Sequence, residues 1–149
     1  MPRTSVASTE RNPGLRSTTL RPLLGRALRI LGFPRATVSL VLTGDERIRS
    51  LNRDFLEVDR PTDVLSFPLA EPGDLADRDR DLYLGEIYIS VETARAQAKA
   101  ARRPLRREIA HLAIHGLLHL VGHDHATASE RRRMRAAESR LLRELAPML

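Results

Sequence analysis

Cysteine is absent from this chain of 149 residues. Its absence excludes disulfide bonds, thiolate zinc sites and cysteine nucleophiles, so any bound metal must be held by nitrogen and oxygen ligands. Aromatic residues are also few, at 3% of the chain, and they do not form the regularly spaced stacking platform of an RNA-recognition sheet. Histidine, present five times, is therefore the residue to follow as a metal ligand.

Long hydrophobic runs are missing as well. The N-terminal stretch through Pro22 is broken by charge and proline and lacks the apolar region of a signal peptide, and no later segment is long enough to span a membrane. We therefore expect a soluble, cytoplasmic protein with no membrane partner. Residues 1–17 have few large apolar groups to offset the entropy of ordering, so we expect a flexible tail there and a single domain over residues 18–149.

Lysine is almost missing, because Lys99 is the only one, yet arginine brings the net charge to +6. Such a charge suits a polyanionic partner such as RNA, since basic side chains that pair with phosphates release counterions. Richness in arginine, alanine and leucine is also typical of a GC-rich coding sequence, and both explanations stay open. If RNA binds, phosphate contacts are expected to dominate.

Hydrophobic spacing predicts alternating helices and strands. The predicted strands share alternating or β-branched apolar residues and comprise residues 36–44, 61–69 and 82–90. The predicted helices share an apolar stripe and comprise residues 20–31, 45–55, 92–103, 105–121 and a last helix that begins at the capping box of residues 127–130. In the second of these helices, Ile48, Leu51 and Phe55 form the stripe.

Four of the five histidines lie in HGLLHLVGHDH, residues 115–125, at positions 115, 119, 123 and 125. His115 and His119 are four residues apart, so they share one helix face and their rings can converge on one point. Gly122 permits the left-handed turn that would return His125 to the same point. The pattern predicts one Zn²⁺ ion on three imidazoles, with a fourth position for a water of lowered pKa that acts as the nucleophile in hydrolysis.

The same positions match the metzincin zinc-peptidase signature HExxHxxGxxH in its three histidines and its glycine. The match fails at Gly116, where that signature has the glutamate that acts as general base. A zinc peptidase is therefore only the third hypothesis. A lone histidine on an apolar helix face is usually a packed, hydrogen-bonded residue, but four matched positions favour a bound metal.

Each of the remaining polar residues near the cluster has more than one interpretation. His111, one turn before His115, is a fourth ligand, a polar residue at the helix edge or, as we favour, a hydrogen-bond partner of a ligand. Glu108 and Asp124 are candidate site residues that would orient a metal-bound imidazole. The alternatives are a helix N-terminal charge for Glu108 and a turn residue for Asp124. His123 is expected to face solvent.

Three motifs together resemble the YbeY family of bacterial metal-dependent endoribonucleases. PTDVLSFP (residues 61–68), GEIYIS (residues 85–90) and HGLLHLVGHDH come in the family's order and spacing, and the match runs from about residue 38 to residue 143. The resemblance implies an α+β fold in which helices cover a small mixed β-sheet. It also implies a zinc site on a central helix and the turn after it, held by His115, His119 and His125 of the last motif.

The resemblance further implies a function and its partners. These are single-strand-specific cleavage of RNA, maturation of the 3′ end of 16S rRNA and ribosome quality control, with rRNA, the small ribosomal subunit and ribosome-associated proteins as partners. Our leading hypothesis is therefore a zinc-dependent endoribonuclease.

The chain departs from the family pattern in LNRDFL. The family usually has an arginine where this chain has Leu56, and a lysine is common where it has Val58. Arg53 and Arg60 are candidate catalytic residues that would supply the missing phosphate-binding charge, although we slightly prefer to interpret both as ordinary exposed arginines. The change at Leu56 motivates a second hypothesis, a zinc-stabilised ribosome assembly factor with little nuclease activity.

Overall fold

The computed structural model describes residues 3–149. Its strands are β1 (Ser5–Ser8), β2 (Ala36–Thr43), β3 (Val64–Pro68) and β4 (Leu82–Ser90). Its α-helices are α1 (Ser17–Ile30), α2 (Asp45–Leu56), α3 (Val91–Ala101), α4 (Leu105–Leu120) and α5 (Ala128–Leu145). Short 3₁₀ helices lie at Pro72–Ala76 and Ala146–Met148. Within residues 3–149, no helix combines the length and the apolar character that crossing a membrane requires.

The four strands form one mixed sheet in the order β1-β2-β4-β3. The pairs β1–β2 and β2–β4 are parallel, and β3 runs antiparallel to β4 at one edge. Helices pack on this small sheet, so the predicted α+β fold is confirmed. The three predicted strands are those now labelled β2, β3 and β4.

Strand β1 lies within the segment that the sequence predicts to be a flexible tail over residues 1–17, and here the structure differs from the expectation. Ser5 pairs with Ser39 and Ser8 with Leu42. Val6 is only half-buried, so β1 is held chiefly by backbone hydrogen bonds to the free edge of β2. Amino-acid composition indicates how much apolar surface a segment can bury. It does not indicate whether a sheet edge is available to form backbone hydrogen bonds with that segment.

Two clusters of apolar side chains cover the two faces of the sheet. The larger contains fully buried residues of α1, β2, β4, α4 and α5, such as Leu20, Leu40, Ile87, Ile114 and Leu141. The smaller consists of Ile48 and Leu51 of α2 and Leu65 of β3, with Phe67 and Tyr88 partly buried against them. Successive residues of β3 therefore point alternately toward α4 and toward α2.

Helix α4 is the central helix, and most of its residues are buried. It ends at Leu120, as predicted for a helix that Gly122 terminates. Gly122 has a φ of +102°, and the backbone N–H of His123 donates to the carbonyl of Leu118 at 2.9 Å. The left-handed residue turns the chain sharply after the helix. This turn places residues 123–125 beside the last turn of α4.

Candidate metal centre

His115 and His119 lie on the same face of α4, as their spacing predicts. Their Nε2 atoms are 3.2 Å apart, and their ring centroids are 4.8 Å apart. In a tetrahedral zinc site with Zn–N bonds of about 2.0–2.1 Å, two ligand nitrogens are separated by about 3.3 Å. The two imidazoles are thus already spaced as a pair of zinc ligands would be.

The other nitrogen of each ring is hydrogen-bonded. His115 Nδ1 lies 2.6 Å from Glu138 Oε1, and His119 Nδ1 lies 3.0 Å from the carbonyl oxygen of His123. A carboxylate and a carbonyl can only accept, so in the neutral rings both protons belong on Nδ1. The two Nε2 lone pairs then face each other at 3.2 Å and repel unless a cation lies between them. The site is therefore chemically suited to a metal ion.

His125 approaches this pair from the turn after α4. Its ring centroid lies 5.2 Å from that of His119 and 6.4 Å from that of His115. A tighter group consists of His119, Asp124 and His125, whose donor atoms all lie within 4.8 Å of one another. This group could hold a metal ion and does not include His115. The structure therefore brings the three predicted histidines together and adds a carboxylate, while the set of true ligands stays a prediction.

Burial lowers the pKa of His119, and the neighbouring His115 and His125 lower it further. A lowered pKa keeps the ring neutral, which is the form that binds a metal. Burial also lowers the pKa of His123, which is half-buried rather than facing solvent as predicted. The turn folds His123 against the end of α4, where its carbonyl orients His119.

Glu138 on α5 is the functional residue that the sequence analysis missed. One carboxylate oxygen lies 2.6 Å from His115 Nδ1 and the other lies 3.3 Å from His111 Nε2. Burial alone would raise the pKa of Glu138, but hydrogen bonds from the two histidines lower it to about 2. The same hydrogen bond raises the pKa of His111, although burial opposes it. His111 thus supports the carboxylate that orients His115 and does not contact that ring nitrogen directly.

A sequence signal for Glu138 did exist. Met134 and Leu141 are buried on the inner face of α5, and Glu138 lies four residues after the first and three before the second. A glutamate at that position of an apolar stripe faces the interior, where it needs a polar partner.

Two cavities meet at the histidines. The histidine groove has a volume of about 620 Å³ and is lined by Leu56, residues 62–66, Pro68, His115, His119 and residues 122–125. The side cavity has a volume of about 440 Å³ and is lined by Asp63, Gln97, Glu108, His111, Leu112, His115, His125, Arg131, Met134, Arg135 and Glu138. His115 and His125 line both cavities. A substrate in the groove would therefore lie against imidazoles that also border the side cavity.

Asp63 lies in both cavities and was also missed. Its carboxylate accepts hydrogen bonds from the backbone N–H of Val64 at 2.7 Å and from the side chain of Gln97 at 3.3 Å. The sequence feature that could have identified Asp63 as a site residue was its place in the motif PTDVLSFP. Two arginines of α5, Arg131 and Arg135, line the side cavity, and Arg131 donates to the carbonyl of His125 at 3.3 Å.

The two candidate replacements for the family arginine are both exposed, as in the interpretation that the sequence analysis prefers. Arg53 is exposed and pairs with Asp54 at 3.0 Å, and Arg60 is exposed in the loop after α2. Within residues 3–149, neither lines either cavity. The structure thus gives no support for a catalytic role of Arg53 or Arg60. Leu56, by contrast, lines the histidine groove and is 52% exposed.

The two predicted carboxylates differ in their surroundings. Glu108 is buried in the first turn of α4 and lies 2.8 Å from Arg103, which fits a helix N-terminal charge better than contact with a ligand. Asp124 is exposed and accepts from the backbone N–H of His125 at 2.7 Å, as a turn residue would. Its carboxylate also lies 3.9 Å from His125 Nδ1, so Asp124 is close enough to join the metal site.

Gly116 faces the sheet rather than the groove. A Cβ at this position would lie 2.7 Å from Ile87 Cγ2, 3.1 Å from Ser66 Oγ and 3.3 Å from Val64 Cγ2. The Ser66 hydroxyl donates to the Gly116 carbonyl at 3.0 Å, which holds α4 against β3. A glutamate side chain has no room here, so the general base of the zinc peptidases is sterically excluded.

The comparisons with protein families and with curated proteins agree on one family. A family model described as Endoribonuclease YbeY matches residues 15–146. The Endoribonuclease YbeY of Heliobacterium modesticaldum is 44% identical over 132 residues, which cover 83% of this chain and 80% of that protein. The Endoribonuclease YbeY of Thermus thermophilus is 43% identical over 123 residues, which cover 83% and 86%. The solution structure of TM1509 from Thermotoga maritima matches with a TM-score of 0.63 at 25% identity and covers 98% of this chain and 93% of its own.

Proposed function

The chain belongs to the endoribonuclease YbeY family, and from this membership we propose that it is a zinc-dependent, single-strand-specific endoribonuclease. An endoribonuclease role follows from the family itself. The finer proposal is that the enzyme acts in the cytoplasm on the 3′ end of 16S rRNA in the small ribosomal subunit, with ribosome-associated proteins as partners, and contributes to ribosome quality control.

One observation supports the metal above all others. The Nε2 atoms of His115 and His119 face each other at 3.2 Å while both Nδ1 atoms are hydrogen-bonded to acceptors. We assign one Zn²⁺ to these two rings and His125, because imidazoles are ligands that zinc favours. Asp124 is the nearest oxygen donor to this set.

When bound, zinc supplies Lewis-acid polarisation of a phosphate oxygen and lowers the pKa of a water. The chain's own residues do the rest. Glu138 and the carbonyl of His123 fix the rings of His115 and His119, so that their Nε2 atoms point to one place. Asp63 lies where the two cavities meet, and among residues 3–149 no histidine hydrogen-bonds to its carboxylate, so we assign it as the group that accepts a proton from the attacking water.

Positive charge near the site comes from α5. Arg131 and Arg135 line the side cavity behind His115 and His125. Charge develops on the oxygens around phosphorus as the phosphodiester is cleaved, and fixed guanidinium groups stabilise it. The net charge of +6 favours binding of the RNA backbone in general.

Turnover of single-stranded RNA by the zinc-loaded protein, compared with His115→Ala, tests the proposal. We expect cleavage by the wild type and loss of cleavage in the variant. His123→Ala is the matched control, because its contact with His119 uses a backbone carbonyl that the substitution preserves. Equal cleavage by wild type and His115→Ala would point to a contaminating nuclease and overturn the assignment.

A second candidate function is a zinc-stabilised ribosome assembly factor with little nuclease activity. The observation that favours it is the apolar side chain of Leu56 in the groove, at the position where the family usually has an arginine. The two candidates differ in the turnover of the native protein, which is substantial for an enzyme and near zero for an assembly factor.

A further inference from the structure

Three large apolar side chains are exposed within residues 3–149, and each lines the histidine groove or neighbours a groove residue in the sequence. Phe55, Leu56 and Leu69 are 67%, 52% and 58% exposed. Leu56 lines the groove, Phe55 precedes it in the chain, and Leu69 follows the groove residue Pro68. Single exposed apolar residues are common, but a group of them at the rim of a site indicates a binding surface.

Phe55 occupies the position of α2 that the apolar spacing assigns to the buried stripe. Ile48 and Leu51 of that stripe are buried, whereas the Phe55 side chain is largely exposed to solvent. Its exposure is thus not a consequence of lying on the polar face of the helix. The apolar stripe of α2 therefore begins with buried residues and ends with an exposed ring.

The ring of Phe55 is held from one side by a row of aromatic contacts. It packs edge-on against Phe67, with centroids 5.5 Å apart and planes at 64°. Phe67 packs edge-on against Tyr88, with centroids 5.8 Å apart and planes at 77°. The Tyr88 hydroxyl donates to Glu86 at 2.9 Å, which fixes the far end of the row. The row orients the Phe55 ring while leaving most of it open.

The aromatic row and the histidines lie on opposite faces of the same edge strand. In β3, Ser66 points toward α4 and donates to the Gly116 carbonyl at 3.0 Å, while Phe67 points toward α2. Leu56 at the end of α2 connects the two sides, since it lines the groove beside Phe55. A chain that lies across the edge of β3 would therefore contact both the imidazoles and the Phe55 ring.

The chemistry of this rim matches an unpaired nucleobase. Bases stack on aromatic rings regardless of sequence, and such platforms accompany positive charge that binds the backbone. A positive charge is close in the sequence, because Arg60 lies in the loop between α2 and β3. It is exposed and forms no ion pair with any residue from 3 to 149. A base-paired strand would offer its ring faces to neighbouring bases instead, so the surface favours single strands.

We propose that Phe55, held by Phe67 and Tyr88, is a stacking platform that receives an unpaired base of the RNA beside the histidine groove. The inference rests on the proposed function in taking RNA as the substrate. It concerns binding rather than cleavage and depends on no metal ligand. It also gives Arg60 a role in binding the adjacent phosphate, outside the catalytic cavities.

The chain has no tryptophan, so Phe55→Trp places a single tryptophan at the platform, and its fluorescence is excited selectively over that of the two tyrosines. The full-length protein is titrated with a single-stranded 2′-O-methyl oligoribonucleotide, and gel electrophoresis of the titrated samples verifies that the strand stays intact. Stacking is expected to quench the fluorescence of the variant saturably. The control is Thr18→Trp, an exposed position in the first turn of α1 that lines neither cavity among the described residues. Quenching equal to that control would overturn the proposal.

The affinity of the unlabelled protein gives a second, independent readout. Loss of one base–aromatic stack is worth about 1–3 kcal/mol, so Phe55→Ala should weaken binding of the same oligonucleotide by roughly 5- to 150-fold. Phe55→Tyr should bind like the wild type, and Phe55→Leu should resemble the alanine variant because it keeps the apolar character without a ring face. Wild-type affinity in Phe55→Ala would assign the ring to a different partner, such as a protein, and overturn the proposal.

These outcomes separate the platform from the proposed nuclease. A protein that cleaves RNA but binds it equally with and without the Phe55 ring would contradict only the platform. A protein that stacks the oligonucleotide on position 55 but never cleaves RNA would contradict only the proposed enzymatic activity.

Discussion

The carboxylate of Glu138 on α5 lies 2.6 Å from the Nδ1 atom of His115 on α4, and its other oxygen lies 3.3 Å from His111. One buried glutamate thus connects two histidines of the central helix to the last helix. It fixes which nitrogen of His115 is free and where that nitrogen points. The geometry of the metal centre therefore depends on the docking of α5 as much as on α4.

Replacing Glu138 with glutamine should weaken zinc binding by about 10- to 100-fold, because the neutral amide is a poorer acceptor for the His115 ring. Competition with a chromogenic zinc chelator measures the affinity. Glu144→Gln is the matched control, since Glu144 lies on the same helix and contacts the exposed Arg140. Equal zinc affinity in Glu138→Gln and the wild type would show that the carboxylate does not orient a ligand.

Gly116→Ala should destabilise the fold, because the new Cβ would lie 2.7 Å from the fully buried Ile87. Overpacking of this kind costs about 1–3 kcal/mol, which exceeds the gain of about 1 kcal/mol from replacing glycine in a helix. In α1, a Cβ at Gly25 would meet only Arg29 Nη1 at 3.7 Å, so Gly25→Ala should stabilise by about 0.5–1 kcal/mol.

Urea unfolding of the two alanine variants checks this prediction. Opposite signs for the change in unfolding free energy are expected. A stabilised Gly116→Ala would mean that α4 does not approach the sheet at β4 and β3 as closely as described, and it would reopen space for a side chain at this position.

The central fold features were predictable because they rest on local spacing. The four-residue interval of His115 and His119 places both rings on one helix face, and Gly122 ends the helix where a left-handed residue is needed. Alternating apolar residues located β2, β3 and β4. Each of these inferences depends only on residues that are close to one another in the sequence.

The features that were missed depend on contacts between distant segments. Glu138 meets His115 across 23 residues, and β1 forms because β2 offers a free edge 34 residues away. The absence of a side chain at Gly116 was taken to disfavour a zinc peptidase. The physical reason for the glycine is that a side chain at position 116 would collide with Ile87. This contact becomes visible only when α4 is packed on the sheet. Exposure of Phe55 was likewise invisible, because spacing alone does not tell where a buried stripe passes the edge of the core.

Leu56→Arg should raise RNA cleavage roughly tenfold or more, because a guanidinium at this position of the groove can form a charge-assisted hydrogen bond with phosphate. The measured quantity is kcat/KM on single-stranded RNA. Thr18→Arg adds the same charge at an exposed position of α1 that lines neither cavity among the described residues, and it should change little. No gain in Leu56→Arg would mean that the groove already binds phosphate by other means, and a gain from a near-zero native rate would support the assembly factor.

Arg135→Ala should weaken RNA binding to a similar degree for all sequences and reduce the dependence of affinity on salt by about one ion. Arg135 lines the side cavity beside the histidines. Arg133 on the same helix donates to Ser129 and lines neither of the two cavities among the described residues, so Arg133→Ala is the comparison. An identical salt dependence in Arg135→Ala and wild type would exclude a phosphate contact at this position.

The most direct test of the metal centre is the zinc content per chain of purified wild type, His115→Ala, His119→Ala, His125→Ala and His123→Ala. The account predicts one zinc per chain in the wild type and in His123→Ala, and a large loss in each of the other three variants. Full zinc occupancy in His115→Ala, with loss in His119→Ala and His125→Ala, would instead assign the ion to His119, Asp124 and His125 and contradict the three-histidine site.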